Sequence, residues 1–189
     1  MESCVFQIPQ LTTERLQLRG FRPDDFERYA EMMADPDVSR HLMDGRPLTR
    51  VEAWRQLAMF AGHWVMRGYG LWAVEERVTG DFLGRIGCLN LEGFPAFEIA
   101  YTLGPWAWGK GFAREGAAAA LCYARETLGR KEITSIIRPA NAASIRVATS
   151  LGGVPSESVE FLRRTFSNLS LPGLTPRRHG LTIAAKADQ

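Results

Sequence analysis

The stretch "WAWGKGFAREGAAAAL" (106–121) combines two tryptophans, two closely spaced glycines and a run of alanines. A strand that runs into such a loop and then into a helix presents successive backbone N–H groups beside the positive end of the helix dipole, which is a favourable place for phosphate. Gly109, Gly111 and Ala113 suit that role because larger side chains would hold a phosphate away from the backbone. The stretch therefore predicts a phosphate-bearing ligand at the start of a helix over about 112–128.

Alternating and helical patterns flank this stretch on both sides. Before it, the sequence predicts strands at 14–21, 71–78, 83–92 and 96–103, with helices starting at 22 and at 48. After it come a strand at 132–138, a short helix in "NAASIRVATSLGG" (141–153) and two strands, in "ESVEFLRRTFSNLS" and "GLTIAA". Because strands and helices are mixed rather than segregated, we expect one α/β or α+β domain over 1–189.

Composition narrows the classes of protein. A net charge of +2 does not suggest the basic stripe of a nucleic-acid binder. Cys4, Cys88 and Cys122 lie far apart and are odd in number, which favours a reducing compartment. The histidines are scattered, so no metal site is predicted. No charged leader precedes an apolar core, and no apolar run is long enough to span a membrane, so we expect a cytoplasmic protein without membrane contact.

Two common phosphate-binding patterns each fail on one residue of the loop. The Walker pattern needs Ser or Thr after Gly-Lys, whereas Gly111 follows Lys110. The dinucleotide pattern G-x-G-x-x-G needs a small residue at position 114, which is Arg114.

A third pattern fits better. "WGKGFA" (108–113) resembles the pyrophosphate pattern Gln/Arg-x-x-Gly-x-Gly/Ala of the GNAT N-acetyltransferases at its last two defined positions, and Trp108 departs from the first. "FEIAYTL" resembles the fourth strand of that family. "NAASIRVATSLGG" resembles the N-x-x-S-x-R-x-x-x-x-L-G segment of its ribosomal-protein (RimJ/RimL-like) branch. In order and spacing the resemblance covers nearly the whole chain, from "TTERLQLR" onward.

The resemblance implies a fold and a reaction. The fold is a central mixed, mostly antiparallel sheet of about seven strands flanked by helices, splayed between the family's strands 4 and 5, which are 96–103 and 132–138 here. The reaction is direct attack of an amine on the thioester of acetyl-CoA, without a metal. We expect acetyl-CoA and an amine acceptor as partners, no nucleic acid, and a monomer or homodimer.

The resemblance also implies site residues. Those expected to contact the coenzyme are Tyr101 and Leu103 on the strand, Trp108, Gly109, Lys110, Gly111, Phe112, Ala113 and Arg114 in the loop, and Asn141 and Arg146 in the following helix. Either arginine can meet the 3′-phosphate or lie on a solvated helix face. The strand N–H groups near 99–101 can face the thioester oxygen.

Glu98 is the candidate catalytic base, because it interrupts a strand face otherwise made of small groups. It can equally be a solvated or ion-paired glutamate, and Glu92 and Asp44 are weaker substitutes. Many relatives carry a tyrosine acid where this chain has Ala148. Ser144 can reach the coenzyme's sulfur or stabilise the helix start, and a thiolate with a pKa of about 8.5 needs little help to leave.

The acceptor stays open. The segment "SRHLMDGRPLTR" (39–50) and Trp54 are expected to shape its site. The branch favours a protein N-terminal amine, but antibiotics, polyamines and amino acids are acetylated on the same fold. A non-catalytic acyl-CoA-binding or regulatory module is the alternative.

Overall fold

The computed structural model describes residues 7–42, 45–161, 164–172 and 182–183. The expectations about Cys4, Asp44 and His179 lie outside these ranges. Among the helices within them, none is long and apolar enough to cross a membrane.

Five α-helices lie within the described ranges, and local sequence explains where they begin and end. The longest begins after Thr49, which forms a capping box with Glu52, and ends at Gly68 in the left-handed conformation (φ 75°). Asp35 caps a short helix by accepting from two backbone N–H groups. The helices are α1 Phe26–Ala34, α2 Pro36–Ser39, α3 Arg50–Arg67, α4 Phe112–Glu126 and α5 Ala142–Ser150.

Nine strands form one sheet in the described part of the chain. They are β1 Leu11–Thr12, β2 Leu16–Arg19, β3 Leu71–Glu76, β4 Phe82–Leu89, β5 Glu98–Leu103, β6 Thr134–Ile137, β7 Val154–Phe161, β8 Arg164–Ser170 and β9 Thr182–Ile183. The spatial order is β7-β8-β6-β5-β4-β3-β2-β1-β9. Only β5 and β6 pair in parallel, with α4 as the crossover helix between them. The predicted mixed, mostly antiparallel sheet is confirmed.

The strand count differs from the expected seven at the edges of the sheet. The stretch 157–170, predicted as one strand, belongs to a hairpin of β7 and β8 that pairs Phe161 with Arg164. At 17 residues, 154–170 is longer than the 3–10 residues of most strands, which favours folding back on itself. The two-residue strands β1 and β9 pair with each other at the opposite edge.

Helices cover both faces of the sheet. The alanine-rich α4 packs against the face that carries Ile86, and a Cβ at Gly116 would lie only 2.5 Å from the Ile86 Cδ1 atom. The run "GAAAAL" therefore has little bulk because α4 lies close to the sheet. On the other face, Phe60 of α3 packs with Leu71 and Leu89.

The strands β5 and β6 diverge after a single position of pairing, between Glu98 and Thr134. Two residues after Thr134, the Ile136 N–H donates to the Glu98 carboxylate at 3.2 Å. The predicted splay is therefore present, and a buried carboxylate lies where the two strands separate.

Candidate active site

A cleft of about 710 Å³ lies along the loop predicted to bind phosphate. It is bounded by the end of β5, the loop after it, the N-terminus of α4 and the first turns of α5. Most of the residues expected to contact the coenzyme line it: Tyr101, Leu103, Trp108, Gly109, Gly111, Phe112, Ala113, Arg114, Asn141 and Arg146, together with Ser144. We call it the loop cleft.

The loop offers backbone donors to this cleft. Gly109 (φ 74°) and Gly111 (φ 81°) are both left-handed, and α4 begins with the Glu115 N–H donating to the Gly111 carbonyl. No residue that the structure describes accepts a hydrogen bond from the N–H groups of 109–114. A row of free N–H groups at a helix N-terminus fits a diphosphate.

The exposed edge of β5 offers further donors and acceptors. The Gly104 N–H donates to the Leu83 carbonyl, which sets the alternation of the antiparallel β4–β5 ladder. With that alternation, the backbone groups of Tyr101 point away from β4 and into the splay. The Tyr101 hydroxyl donates to the Ser144 carbonyl at 2.7 Å, which ties α5 to β5, and burial raises the pKa of this hydroxyl.

A second cavity, of about 330 Å³, opens on the far side of Tyr101. It lies between the sheet, α3 and the segment before α3, and we call it the inner cavity. The inner cavity and the loop cleft share six lining residues: His41, Leu42, Tyr101, Thr102, Asn141 and Ser144. A molecule in one space can therefore meet a molecule in the other.

Glu98 lines the inner cavity and is only 7% exposed. Burial raises the pKa of its carboxyl from an ordinary value of 4.5 to about 7, opposed by the Ile136 N–H and by the charge of Arg85. A carboxyl with a pKa near neutrality is partly ionised at neutral pH, and its carboxylate form is more basic than that of an ordinary glutamate. Both properties suit a general base.

The match to known proteins decides the family. The model of the acetyltransferase (GNAT) domain matches residues 15–154, which is well over half of the chain. The chain belongs to the GNAT acetyltransferase family. Acetyl-CoA is the cosubstrate of that family, and the residues described here contain no cluster of His, Cys, Asp or Glu that could hold a metal ion.

Individual relatives agree with this assignment. The chain is 33% identical to the uncharacterized protein YkkB of Bacillus subtilis, over 76% of this chain and 84% of that one. It is 30% identical to the uncharacterized N-acetyltransferase p20 of Bacillus licheniformis, over 75% and 80%. A crystal structure of an acetyltransferase from Agrobacterium tumefaciens superposes with a TM-score of 0.79 at 30% identity, covering 90% of this chain and 98% of that one.

Two residues expected to contact the coenzyme make contacts within the protein that the sequence did not indicate. The Leu103 carbonyl accepts the indole N–H of Trp108 at 2.8 Å, so it is not free for the pantetheine arm. The Trp108 N–H also has a partner, the Pro105 carbonyl. Lys110 lines neither cavity; its carbonyl accepts from Arg15 and its ammonium lies 6.0 Å from the Phe112 ring centroid.

The reason for glycine at 111 also differs from the expectation. A Cβ there would point toward the Arg15 guanidinium, 3.4 Å away, so the residue is constrained mainly by its positive φ. Arg15, which sequence reasoning missed, pairs with Glu115 at 2.7 Å and stacks on Phe112, with 4.7 Å to the ring centroid. It supports the loop from behind the cleft.

The start of α5 carries two predicted residues at the junction of the cavities. The Asn141 side-chain oxygen accepts from the Ser144 N–H at 3.1 Å and so caps the helix, which leaves its amide nitrogen for a ligand. Ser144 lines both cavities. Ala148, at the position of the missing tyrosine, is fully buried.

Part of the segment 39–50, which was expected to shape the acceptor site, lines the inner cavity. His41, Leu42, Arg46 and Leu48 line the inner cavity, whereas Trp54 is 58% exposed and does not. Of the substitute bases, Glu92 is exposed and pairs with Arg67 outside both cavities, and Asp44 is not described. Sequence reasoning did not find His41 as a site residue, because a lone histidine in a loop carries no pattern.

Proposed function

We propose that this chain transfers the acetyl group of acetyl-CoA to a primary amine by direct attack on the thioester, with Glu98 as the base. The observation that carries the proposal is a buried carboxyl, with a pKa of about 7, in a cavity that meets a cleft lined by free backbone N–H groups. The loop cleft suits the diphosphate and pantetheine of the coenzyme. The inner cavity suits the amine.

Each residue has a defined task in the transfer. The acceptor ammonium, with a pKa of roughly 8 to 10, gives its proton to the Glu98 carboxylate directly or through water. The amine nitrogen then bonds to the acetyl carbon, the carbon–sulfur bond breaks with its electron pair leaving on sulfur, and the nitrogen's second proton passes to the departing thiolate or to solvent. The open N–H of Tyr101 is the candidate donor to the thioester oxygen.

The leaving thiolate needs little protonation, because its pKa is near that of a free thiol, about 8.5. Ser144 lies at the junction of the two cavities and is the candidate to meet the sulfur. Asn141 contributes its amide nitrogen to the pantetheine arm, and Arg114 or Arg146 contributes charge to the 3′-phosphate. We place the reaction in the cytoplasm, in keeping with the free thiols of Cys88 and Cys122.

The test has two parts. Thermal shift with acetyl-CoA, NADH and ATP identifies the nucleotide, and release of free thiol across a panel of amines identifies turnover. We expect stabilisation by acetyl-CoA and thiol release with at least one amine. Stabilisation by NADH or ATP alone would contradict the placement of the coenzyme. Binding of acetyl-CoA without thiol release from any amine would favour a non-catalytic acyl-CoA-binding module.

A further inference from the structure

The inner cavity contains a buried cation that acetyl transfer to a simple amine does not use. Arg85, on β4, is only 5% exposed and lines this cavity. Its guanidinium stacks on the Phe60 ring, with 4.5 Å to the centroid. Among the residues that the structure describes, the guanidinium interacts with the Tyr29 hydroxyl, but its Nε has no hydrogen-bond partner and no carboxylate forms an ion pair with it. Burying an arginine without a negative partner lowers the free energy of unfolding unless a bound anionic group neutralises it.

The charges around the cavity have one dominant sign. Its basic lining residues are His41, Arg46, Arg85 and Arg138, and Glu98 is the one acidic residue in the described lining. Arg85 and Glu98 share a sheet face, four residues apart in register, because Arg85 pairs with Thr102 and Leu89 pairs with Glu98. That offset is about 13 Å between backbone positions, but the Arg85 charge still opposes the rise that burial causes in the pKa of the Glu98 carboxyl, so the guanidinium lies within electrostatic reach of it.

We infer that the acceptor is an amine that also carries a carboxylate, and that Arg85 binds the carboxylate while Glu98 faces the amine. This inference rests on the proposed function. A planar guanidinium matches a carboxylate with two parallel hydrogen bonds. The remaining lining is mostly apolar, including Leu89, Phe94 and Ile99, which favours an amino acid with an apolar body. A cavity of about 330 Å³ is at the small end of ligand pockets, which also favours a small acceptor.

The experiment compares amines with and without the carboxylate in kcat/KM. The pairs are leucine and 3-methylbutylamine, phenylalanine and 2-phenylethylamine, and 6-aminohexanoate and pentylamine. A short peptide with a free N-terminus and an amidated C-terminus represents a protein acceptor. We expect the carboxylate to raise kcat/KM by about 10- to 100-fold in at least one pair, the usual range for a buried hydrogen bond to a charged group. Equal rates within every pair, or preference for the peptide, would overturn the inference.

Variants locate the effect. Arg85→Gln should remove the preference by slowing the carboxylated member alone, and Arg85→Lys should restore part of it. Arg67→Gln is the control, since Arg67 is an arginine that pairs with Glu92 and lines neither cavity. It should keep the preference. A preference that survives Arg85→Gln would exclude Arg85 as the binding group.

A binding measurement keeps the inference separate from catalysis and from folding of the variants. Wild-type protein should bind N-acetylphenylalanine at least about 10-fold more tightly than N-acetyl-2-phenylethylamine in calorimetry with coenzyme A present. If no amine releases thiol, the proposed function fails, and this ratio still decides whether the cavity selects a carboxylate. A ratio near one contradicts the inference even where amines are acetylated.

Discussion

The loop cleft and the inner cavity lie on either side of Tyr101 and are built in different ways. The loop cleft presents backbone N–H groups of 109–114 in one continuous segment of chain. The inner cavity presents side chains that come from many separated parts of the sequence, with Arg85 and Glu98 buried on neighbouring strands. A site made of local backbone leaves a motif in the sequence, whereas a site made of side chains from distant segments does not.

The comparison also separates what each region should control. Because the loop cleft offers main-chain N–H groups, substitutions there should change the affinity for the coenzyme. Because the inner cavity works through ionisable side chains, substitutions there should change the rate, the pH dependence and the choice of acceptor. Mutations that cross this division would show that the two regions are not independent.

The largest expected effect is the loss of turnover when Glu98 in the inner cavity is replaced. Glu98→Gln should lower kcat at pH 7 by about 10²- to 10⁴-fold, the usual contribution of a general base, with little change in the dissociation constant of acetyl-CoA. In the wild type, log kcat/KM should rise with pH to a bend near 7, where the Glu98 carboxyl ionises. In the variant, that bend should be absent and only the ionisation of the acceptor amine, at pKa 8 to 10, should remain.

Thiol release measured from pH 5.5 to 9 checks this prediction. Glu92→Gln serves as the control, because Glu92 is an exposed glutamate paired with Arg67. It should retain wild-type rates. Unchanged turnover in Glu98→Gln would remove Glu98 as the base.

The second effect concerns the loop cleft. Gly111→Val should weaken acetyl-CoA binding by about 10- to 100-fold, because a β-branched residue does not tolerate φ 81° and the N–H groups beside it must shift. Gly129→Val is the matched control: Gly129 is also left-handed (φ 64°), but lies beyond the other end of α4. Both should lose stability, and only Gly111→Val should lose affinity in calorimetry. Equal affinities would contradict the placement of the diphosphate.

The backbone-built parts of the molecule were predictable from sequence, and long-range contacts of side chains were not. The loop and α4 follow from spacing and from small residues, and the splay of the strands follows from the resemblance to the GNAT family. The β7–β8 hairpin was read as one strand because its turn carries no Gly or Pro signal. Glu98 was found because a charge interrupts a strand. Arg85 was missed because the sequence around it does not show that it is buried without a carboxylate partner.

Two further residues have contacts that spacing does not show. Sequence could place Leu103 on an open strand edge, but the Trp108 indole reaches back to its carbonyl, and the direction of a tryptophan in a loop cannot be read from spacing. Lys110 lies in the loop as expected, but it does not line the cleft, and its ammonium lies 6.0 Å from the Phe112 ring centroid.

The burial of Glu98 in the inner cavity, which suits it to act as a base, should also lower the stability of the fold. The Glu98 carboxyl has a pKa of about 7 in the folded state and about 4.5 when unfolded, so between these values the folded state binds more protons. The free energy of unfolding therefore falls as pH rises from 4.5 to 7 and then levels off. The loss is on the order of 3 kcal/mol, from the shift at about 1.4 kcal/mol per unit.

Glu98→Gln should remove this loss and stabilise the protein at pH 8, while it can still accept the Ile136 N–H. Urea unfolding of both proteins at pH 5 and pH 8 measures the effect. The two proteins should differ more at pH 8 than at pH 5. A variant that is less stable than the wild type at pH 8 would show that the ionised carboxylate is well solvated or paired there.

The smallest expected effect concerns the exposed arginines of the loop cleft. Arg114 and Arg146 are exposed and line the cleft, so an ionic contact from either to the 3′-phosphate should contribute about 0.5 to 1 kcal/mol. Substitution by Gln of the arginine that makes this contact should reduce the preference for acetyl-CoA over its 3′-dephospho form by about 2- to 5-fold. Arg67→Gln, at the exposed pair with Glu92, is the control. If neither substitution changes the ratio of dissociation constants, the 3′-phosphate lies away from both arginines and the backbone of the loop alone holds the coenzyme's charged end.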